Sequence, residues 1–189
     1  MSEGTTLLVT VRGADRLRQL LGDTPYRACT AVSSAAEARR IAAMDLHPLI
    51  LINAPLPDEN GVNLAAELAA STSAAVILLV KTALLPLVSD AASEAGVLLV
   101  QKPILPPMFE QAVRLAISSA NRLQLLKNEN ARLQKRLEEL RVIDRAKCLL
   151  IEHMRVTEEE AHRMLEKQAM DARVPRVRVA RQILERFEL

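Results

Sequence analysis

Leu49-Ile50-Leu51-Ile52-Asn53, followed by Ala54-Pro55-Leu56-Pro57-Asp58-Glu59-Asn60-Gly61, is the stretch that decides the fold. Four apolar residues in a row, with no polar alternation, suit a strand covered on both faces, and the Pro, Asp, Asn and Gly behind them close it with a loop. Runs of the same kind recur outward from it, at residues 6–11 and 26–31 on one side and 76–80 and 97–100 on the other. Amphipathic helical patterns separate them at 14–21, 35–44, 62–69 and 87–94. The second helix opens with Ser34-x-x-Glu37, a capping box in which each side chain serves a free amide of the first turn. Strand–helix alternation repeated five times predicts a doubly wound α/β sheet of five parallel strands. Ligands of such sheets sit at the carboxyl ends of the strands. Here those positions hold Thr10-Val11-Arg12, Asn53, Val80 and Lys102-Pro103.

The 189 residues suit two small domains and a linker, and 50% apolar with 25% charged content is globular rather than disordered. One Tyr, two Phe and no Trp argue against aromatic stacking as the means of holding bases or sugars. The net charge of +2 is unevenly spread: 8 Lys/Arg stand against 10 Asp/Glu in residues 1–107, and 17 against 13 in 108–189. A polyanionic partner is therefore expected at the back half. Cys29 and Cys148 form no spaced pattern and are expected as reduced thiols. The start of the chain lacks the basic-then-apolar order of a signal peptide, and the longest apolar run, 74–80, is too short for a bilayer. A soluble cytoplasmic protein is expected. No nucleophile–base pair, phosphate-binding loop or metal cluster is evident, which predicts a non-enzymatic protein without a cofactor.

The five-fold order, the 49–53 run with Pro57-Asp58-Glu59-Asn60-Gly61, and the Lys102-Pro103 pair give residues 1–107 a resemblance to the receiver (CheY-like) domain of bacterial response regulators. The resemblance implies an acyl-phosphate pocket, and four positions bear on it. Asn53 stands where the family has its phospho-acceptor Asp, and an amide has no anionic oxygen to attack with. Thr10, Val11 and Arg12 stand where an acidic pair would hold Mg²⁺, a cation that takes hard oxygen ligands. Val80 replaces the Ser/Thr that senses the phosphoryl group, and Lys102 alone survives. The expectation is a pseudo-receiver with a degenerate pocket of Arg12, Asn53, Val80 and Lys102. Asp58 lies beyond the strand without acidic partners, which disfavours it as a substitute acceptor. Arg12 either fills the vacated metal position with Asn53 as its hydrogen-bond partner or points into solvent. Lys102 reads first as a residue fixed before a turn proline.

After Pro106-Pro107 neither Pro nor Gly occurs until Pro175, and the stretch from about 108 to 140 is predicted as one long helix. Phe109, Val113 and Ile117 would pack on the sheet. A heptad follows, with Ala116, Leu123, Asn130 and Leu137 at a and Ser119, Leu126, Leu133 and Leu140 at d. A lone Asn at a favours a parallel two-stranded coil by pairing with its copy, so Leu123, Leu126, Asn130, Leu133, Leu137 and Leu140 are the expected homodimer seam. Packing of this helix on its own domain is the alternative.

Residues 141–189 suggest a small all-α, three-helix domain. Thr157-Glu-Glu-Glu160 is a second capping box, Pro175 lies near a third helix start, and Val177, Ala180, Ile183 and Leu184 make one stripe. Arg141-Val-Ile-Asp-Arg-Ala-Lys147, Thr157-Glu-Glu-Glu-Ala161, Leu165, Ala169-Met170 and Val179-Ala180 resemble the ANTAR domain of AmiR- and NasR-type response regulator antiterminators, with the family domain beginning near 128–133. Two departures stand out: Cys148 where the family has Gly, and Arg176 where it has Leu. The second implies that Val177 takes over packing and that the third helix starts slightly later. The resemblance implies a dimer that binds paired small-loop hairpins in a leader transcript and so prevents a terminator from forming. Arg145, Lys147, Arg173, Arg176, Arg178 and Arg181 are the expected RNA-binding residues, while Ala146, Ala161, Ala169 and Ala180 are expected in helix packing. His47, His153 and His162 have no ligand spacing. With no phosphorylation available, control would come from a regulatory protein partner or ligand on the front domain. A DNA-binding response regulator and a non-catalytic dimeric signalling adaptor remain as alternatives.

Overall fold

The computed structural model describes residues 5–187, which divide into two compact units between Leu125 and Leu126. In the first, strands β1 (Thr6–Val9), β2 (Cys29–Val32), β3 (Leu49–Asn53), β4 (Ala75–Lys81) and β5 (Leu98–Lys102) pair in parallel in the order β2-β1-β3-β4-β5. Helices α1 (Ala14–Leu21), α2 (Ala35–Met44), α3 (Val62–Ser71), α4 (Leu85–Glu94) and the start of α5 (Pro106–Met154) connect and cover the strands.

The period-2 rule for side chains sorts the central strands between two cores. Leu7, Val9, Ile50, Ile52, Val76, Leu78 and Val80 pack with Ala35 and Ala38 of α2, Leu64 and Leu68 of α3, and Ala92 of α4. Leu8, Leu49, Leu51, Ala75, Ile77 and Leu79 pack with Leu17 and Leu21 of α1 and with Phe109, Val113, Ala116 and Ile117 of α5. Each fully buried Leu or Ile removes enough apolar surface from water to contribute about 1.5–3 kcal/mol. The unbroken apolar runs of β3 and β4 thus come from cover on both faces.

Strand two differs from its expected position. Tyr26 and Arg27 lie in a turn closed by the Arg27 amide on the Thr24 carbonyl at 3.2 Å, and pairing with β1 begins at Cys29. The fourth helix starts two residues earlier than the pattern suggests, after a 3₁₀ turn at Thr82–Leu84, with Pro86 in its first turn. The Ser34 hydroxyl accepts from the Glu37 amide at 3.2 Å as expected, but the Glu37 carboxylate reaches the Ser33 amide rather than that of Ser34. Asp58, in the loop after β3, supplies what this cap leaves undone: its two carboxylate oxygens accept from the Ala35 and Ala36 amides, each at 3.0 Å. Those bonds hold its carboxyl below the usual carboxylate range.

Helix α5 begins on Pro106-Pro107, residues suited to a first turn because they lack the amide that the turn leaves unpaired, and it continues without interruption to Met154. In the second unit its last turns pack with α6 (Glu158–Ala172) and α7 (Arg176–Phe187). The core there is Ala146, Leu150, Ala161, Leu165, Ala169, Val179, Ala180 and Ile183, so all four alanines expected in helix packing are buried. The Thr157–Glu160 capping box is complete in both directions, with Glu160 accepting from the Thr157 amide at 2.8 Å. Two corrections concern α7. It starts directly at Arg176, and the packing at its entry is made by Val174 and Val179 rather than Val177, which stays outside the core. Cys148 is exposed, so no close helix approach occurs through it.

Candidate functional site

The carboxyl ends of β1, β3 and β5 converge on a shallow cavity of about 300 Å³ lined by Arg12, Gly13, Arg16, Leu17, Leu20, Asn53, Lys102, Pro103 and Ile104. Thr10, buried at 6% exposure, organises its floor. Its hydroxyl donates to the Arg12 carbonyl at 2.6 Å and accepts from the Asn53 side-chain amide at 2.8 Å; that amide also donates to the Arg12 carbonyl at 3.3 Å. Asn53 therefore holds the backbone of Arg12 and not its guanidinium, which corrects the reading that paired the two side chains. The Arg12 side chain is exposed. Val80 is buried in the sheet core and offers the cavity no hydroxyl. The Lys102 ammonium donates to the Ala54 carbonyl, and the Lys102–Pro103 and Ala54–Pro55 peptide bonds are both cis. Burial, and then the positive charge of Lys81, hold the Lys102 pKa below that of a free lysine.

A divalent cation does not fit this donor set. Mg²⁺ requires anionic or neutral oxygen ligands. The cavity presents two guanidinium groups and an ammonium, and the Thr10 hydroxyl is already engaged on both sides. Among the described residues no group of three or more His, Cys, Asp or Glu could hold a metal ion. Arg16 was not singled out from the sequence. Its position four residues after Arg12, in the first turn of the helix leaving β1, is the signal that places both on one side of that turn.

The second cluster lies in the Leu126–Leu189 unit. Arg173 closes α6 in the left-handed conformation (φ 53°), Pro175 follows, and Arg176, Arg178 and Arg181 lie on the first two turns of α7. All four arginines are exposed. Arg176 donates to Glu166 at 3.0 Å, whereas Arg173, Arg178 and Arg181 form no ion pair among the described residues. Beside them is an open hollow lined by Glu166, Ala169, Met170, Arg173, Val174, Pro175 and Arg176. Arg145 is exposed on α5. Lys147 differs from the rest: its half-buried ammonium bridges Asp144 and Glu158, each at 2.9 Å, tying α5 to the first turn of α6. These two carboxylates raise the Lys147 pKa, Asp144 first. The histidines have structural surroundings. His47 is buried with Nδ1 at 2.7 Å from the Thr5 carbonyl, His153 stacks on Phe187 at 4.8 Å, and His162 lies 3.2 Å from Glu166.

Along α5, Leu123, Leu126, Leu133, Leu137 and Leu140 are between 49% and 61% exposed, and Asn130 is exposed with them. Ala116, the first a position of the expected heptad, is instead 8% exposed in the sheet core. The uncovered stripe thus begins at Leu123. No helix among the described residues is long and apolar enough to cross a membrane.

Residues 131–184 match the family model of the ANTAR domain. Over 169 residues the chain is 28% identical to the transcriptional regulatory protein PdtaR of Mycobacterium tuberculosis (strain H37Rv), covering 89% of this chain and 82% of that one. Among solved structures it is similar to the signal receiver domain of an HD domain-containing protein from Pseudomonas fluorescens Pf-5, with 26% identity and a TM-score of 0.58 over 66% of this chain and 94% of that one. It is also similar to a CheY-like response regulator receiver domain from Methanospirillum hungatei JF-1, with 21% identity and a TM-score of 0.56 over 64% of this chain and 98% of that one; this likeness bears on fold alone. The β2-β1-β3-β4-β5 sheet and the receiver structures give the front unit a CheY-like receiver fold, residues 131–184 match the ANTAR domain, and together these similarities support an ANTAR response regulator with a receiver domain.

Proposed function

We propose that this protein is a homodimeric RNA-binding antiterminator whose front domain is not phosphorylated. The tails of the dimer hold paired small-loop hairpins of a leader transcript, and a terminator that shares those bases then cannot form. The observation that carries the reading is the exposed set Arg173, Arg176, Arg178 and Arg181 around the α6–α7 turn, within the region that matches the ANTAR model. Guanidinium groups pair with phosphates bidentately, and the first-turn amides of α7 favour the same anions. Unstacked loop bases have the adjacent hollow, with Met170 on its rim, as an apolar resting place. Lys147 is assigned a positioning role, since its charge is already shared by Asp144 and Glu158.

The stripe from Leu123 to Leu140 supports the dimer. Five half-exposed leucines on one helix leave apolar surface that a second copy would cover, and Asn130 would set register. Asn53 supports the unphosphorylated front domain, because a carboxamide cannot form an acyl phosphate. The test is binding of the full chain to an RNA with two small-loop hairpins, against the same RNA with scrambled loops and a DNA duplex of matched sequence. Loop-dependent RNA binding by a dimer is expected. Preference for the duplex would make α7 a DNA-reading helix, and binding of none of the three would leave a protein adaptor; either result overturns the reading.

A further inference from the structure

The cavity at the strand ends has no use in the reading above, and its chemistry is one-sided. Its charged lining consists of Arg12, Arg16 and Lys102, and among the described residues that line it none is acidic. Lys81 adds a fourth cation nearby, at the end of β4 beside Lys102 in register. The closest acid in sequence, Asp15, is turned to solvent and paired with Arg18 at 3.1 Å. Helix α1 opens on Gly13 with no side-chain cap, so its first-turn amides add positive potential at the same mouth. Like charges gathered in one cleft repel one another, and burial, followed by the charge of Lys81, already holds the Lys102 pKa down. An anion in the cleft relieves that repulsion.

We infer that this cavity binds a small phosphate-bearing organic molecule, non-covalently and without a metal ion. The phosphate lies among Arg12, Arg16 and Lys102, and the organic part lies against Leu17, Leu20 and Ile104. Three cations match the two negative charges of a phosphate monoester better than the single charge of a carboxylate. Lys102 spends one of its three donors on the Ala54 carbonyl and keeps two. Asn53 fixes the floor by donating its side-chain amide to the Arg12 carbonyl, a bond that an ionised Asp, which has no donor and would also repel the phosphate, could not make. A volume of about 300 Å³ is at the lower end of small-molecule sites, room for a metabolite and not for a macromolecule. This site is independent of the RNA reading, since every residue in it belongs to the front unit.

The experiment is calorimetric titration of the full chain, in EDTA, with phenyl phosphate, inorganic phosphate and benzoate. Phenyl phosphate should bind one per chain, more tightly than inorganic phosphate and at least about tenfold more tightly than benzoate. Arg12→Gln and Arg16→Gln should each weaken it about ten- to hundredfold, the loss expected for a hydrogen bond to a charged group. Both side chains are exposed, so neither change threatens the fold, and circular dichroism would verify that. Arg176→Gln should leave the titration unchanged. Any of four results overturns the assignment: no saturation by about 10 mM, dependence on Mg²⁺, equal affinity for benzoate, or sensitivity to Arg176→Gln in place of Arg12 and Arg16.

Discussion

Salt titration of RNA binding tests the proposed interface with a magnitude that follows from the structure. Of the four arginines around the α6–α7 turn, Arg173, Arg178 and Arg181 have no ion pair among the described residues, which gives three phosphate-neutralising charges per protomer and six per dimer from this set. Each neutralised phosphate contributes about −0.7 to −0.9 to the slope of log affinity against log salt, so a dimer is expected at about −4 to −5 and a monomer at about −2 to −3. Between 50 and 200 mM salt the dimer then loses about 300- to 2,000-fold in affinity, against about 20- to 40-fold for a monomer. Arg181→Gln, present in both copies, should flatten the slope by about 1.4–1.8. Lys147→Gln should leave it unchanged, because that ammonium is held between Asp144 and Glu158. Fluorescence anisotropy with a labelled two-hairpin RNA measures all three chains. A wild-type slope shallower than about −1, or equal flattening by Lys147→Gln and Arg181→Gln, would refute the reasoning.

Leu133→Lys puts a charge in the middle of the leucine stripe of α5 and should convert a dimer to a monomer in sedimentation equilibrium; an unchanged mass removes the coiled coil from the proposal. Phe109→Ala empties a fully buried site between α5 and the sheet and should cost about 3–5 kcal/mol in urea denaturation, and a loss under about 1 kcal/mol would mean that this helix is not anchored there. The Glu160 carboxyl is held below its ordinary 4.5 by the Thr157 amide and then by the Thr157 hydroxyl. Its folded pKa is depressed, so its support is complete above pH 4.5 and is lost as pH falls through the folded value. Glu160→Gln should therefore flatten the acid side of the thermal stability profile, and parallel profiles for the two chains would contradict the cap.

Sequence reading succeeded where local pattern and burial coincide. The runs of β3 and β4 are apolar throughout because helices cover both faces, and that is visible residue by residue. It slipped at β2, where Tyr26 is apolar enough to extend the run but belongs to the turn that precedes the strand. The heptad misplaced its own beginning for a similar reason: Ala116 satisfies an a position and a sheet contact equally well, and only the fold shows that the sheet takes it. Long-range polar work was the least legible. Nothing near Asp58 announces that it caps a helix 22 residues earlier, and Lys147 looks like any cation of the tail until Glu158 is brought beside it. The place of Arg16, on α1, depends on Lys102, which reaches the same cavity from β5, and no local pattern joins the two.

If Asn53 excludes an acyl phosphate, the front domain loses the covalent input that would set its state, and the remaining source of a switch is differential binding. A ligand moves a two-state equilibrium only by the difference in its affinity for the two states. Moving from about 1:99 to about 99:1 takes roughly 5.5 kcal/mol, or about a 10⁴-fold preference. One phosphate held by three cations at an open cavity has hydrogen bonds to charged groups worth about 1.5–3 kcal/mol each to lose. About two to four such bonds made in one state alone would supply that difference, a number the donors of Arg12, Arg16 and Lys102 can provide without phosphorylation. The same arithmetic applies to a protein partner on this face, which would have to present a carboxylate or phosphate to those three side chains. Charge reversal at Arg16 should then disrupt regulation while leaving hairpin affinity of the unliganded chain intact, because the arginines proposed to hold RNA belong to the other unit.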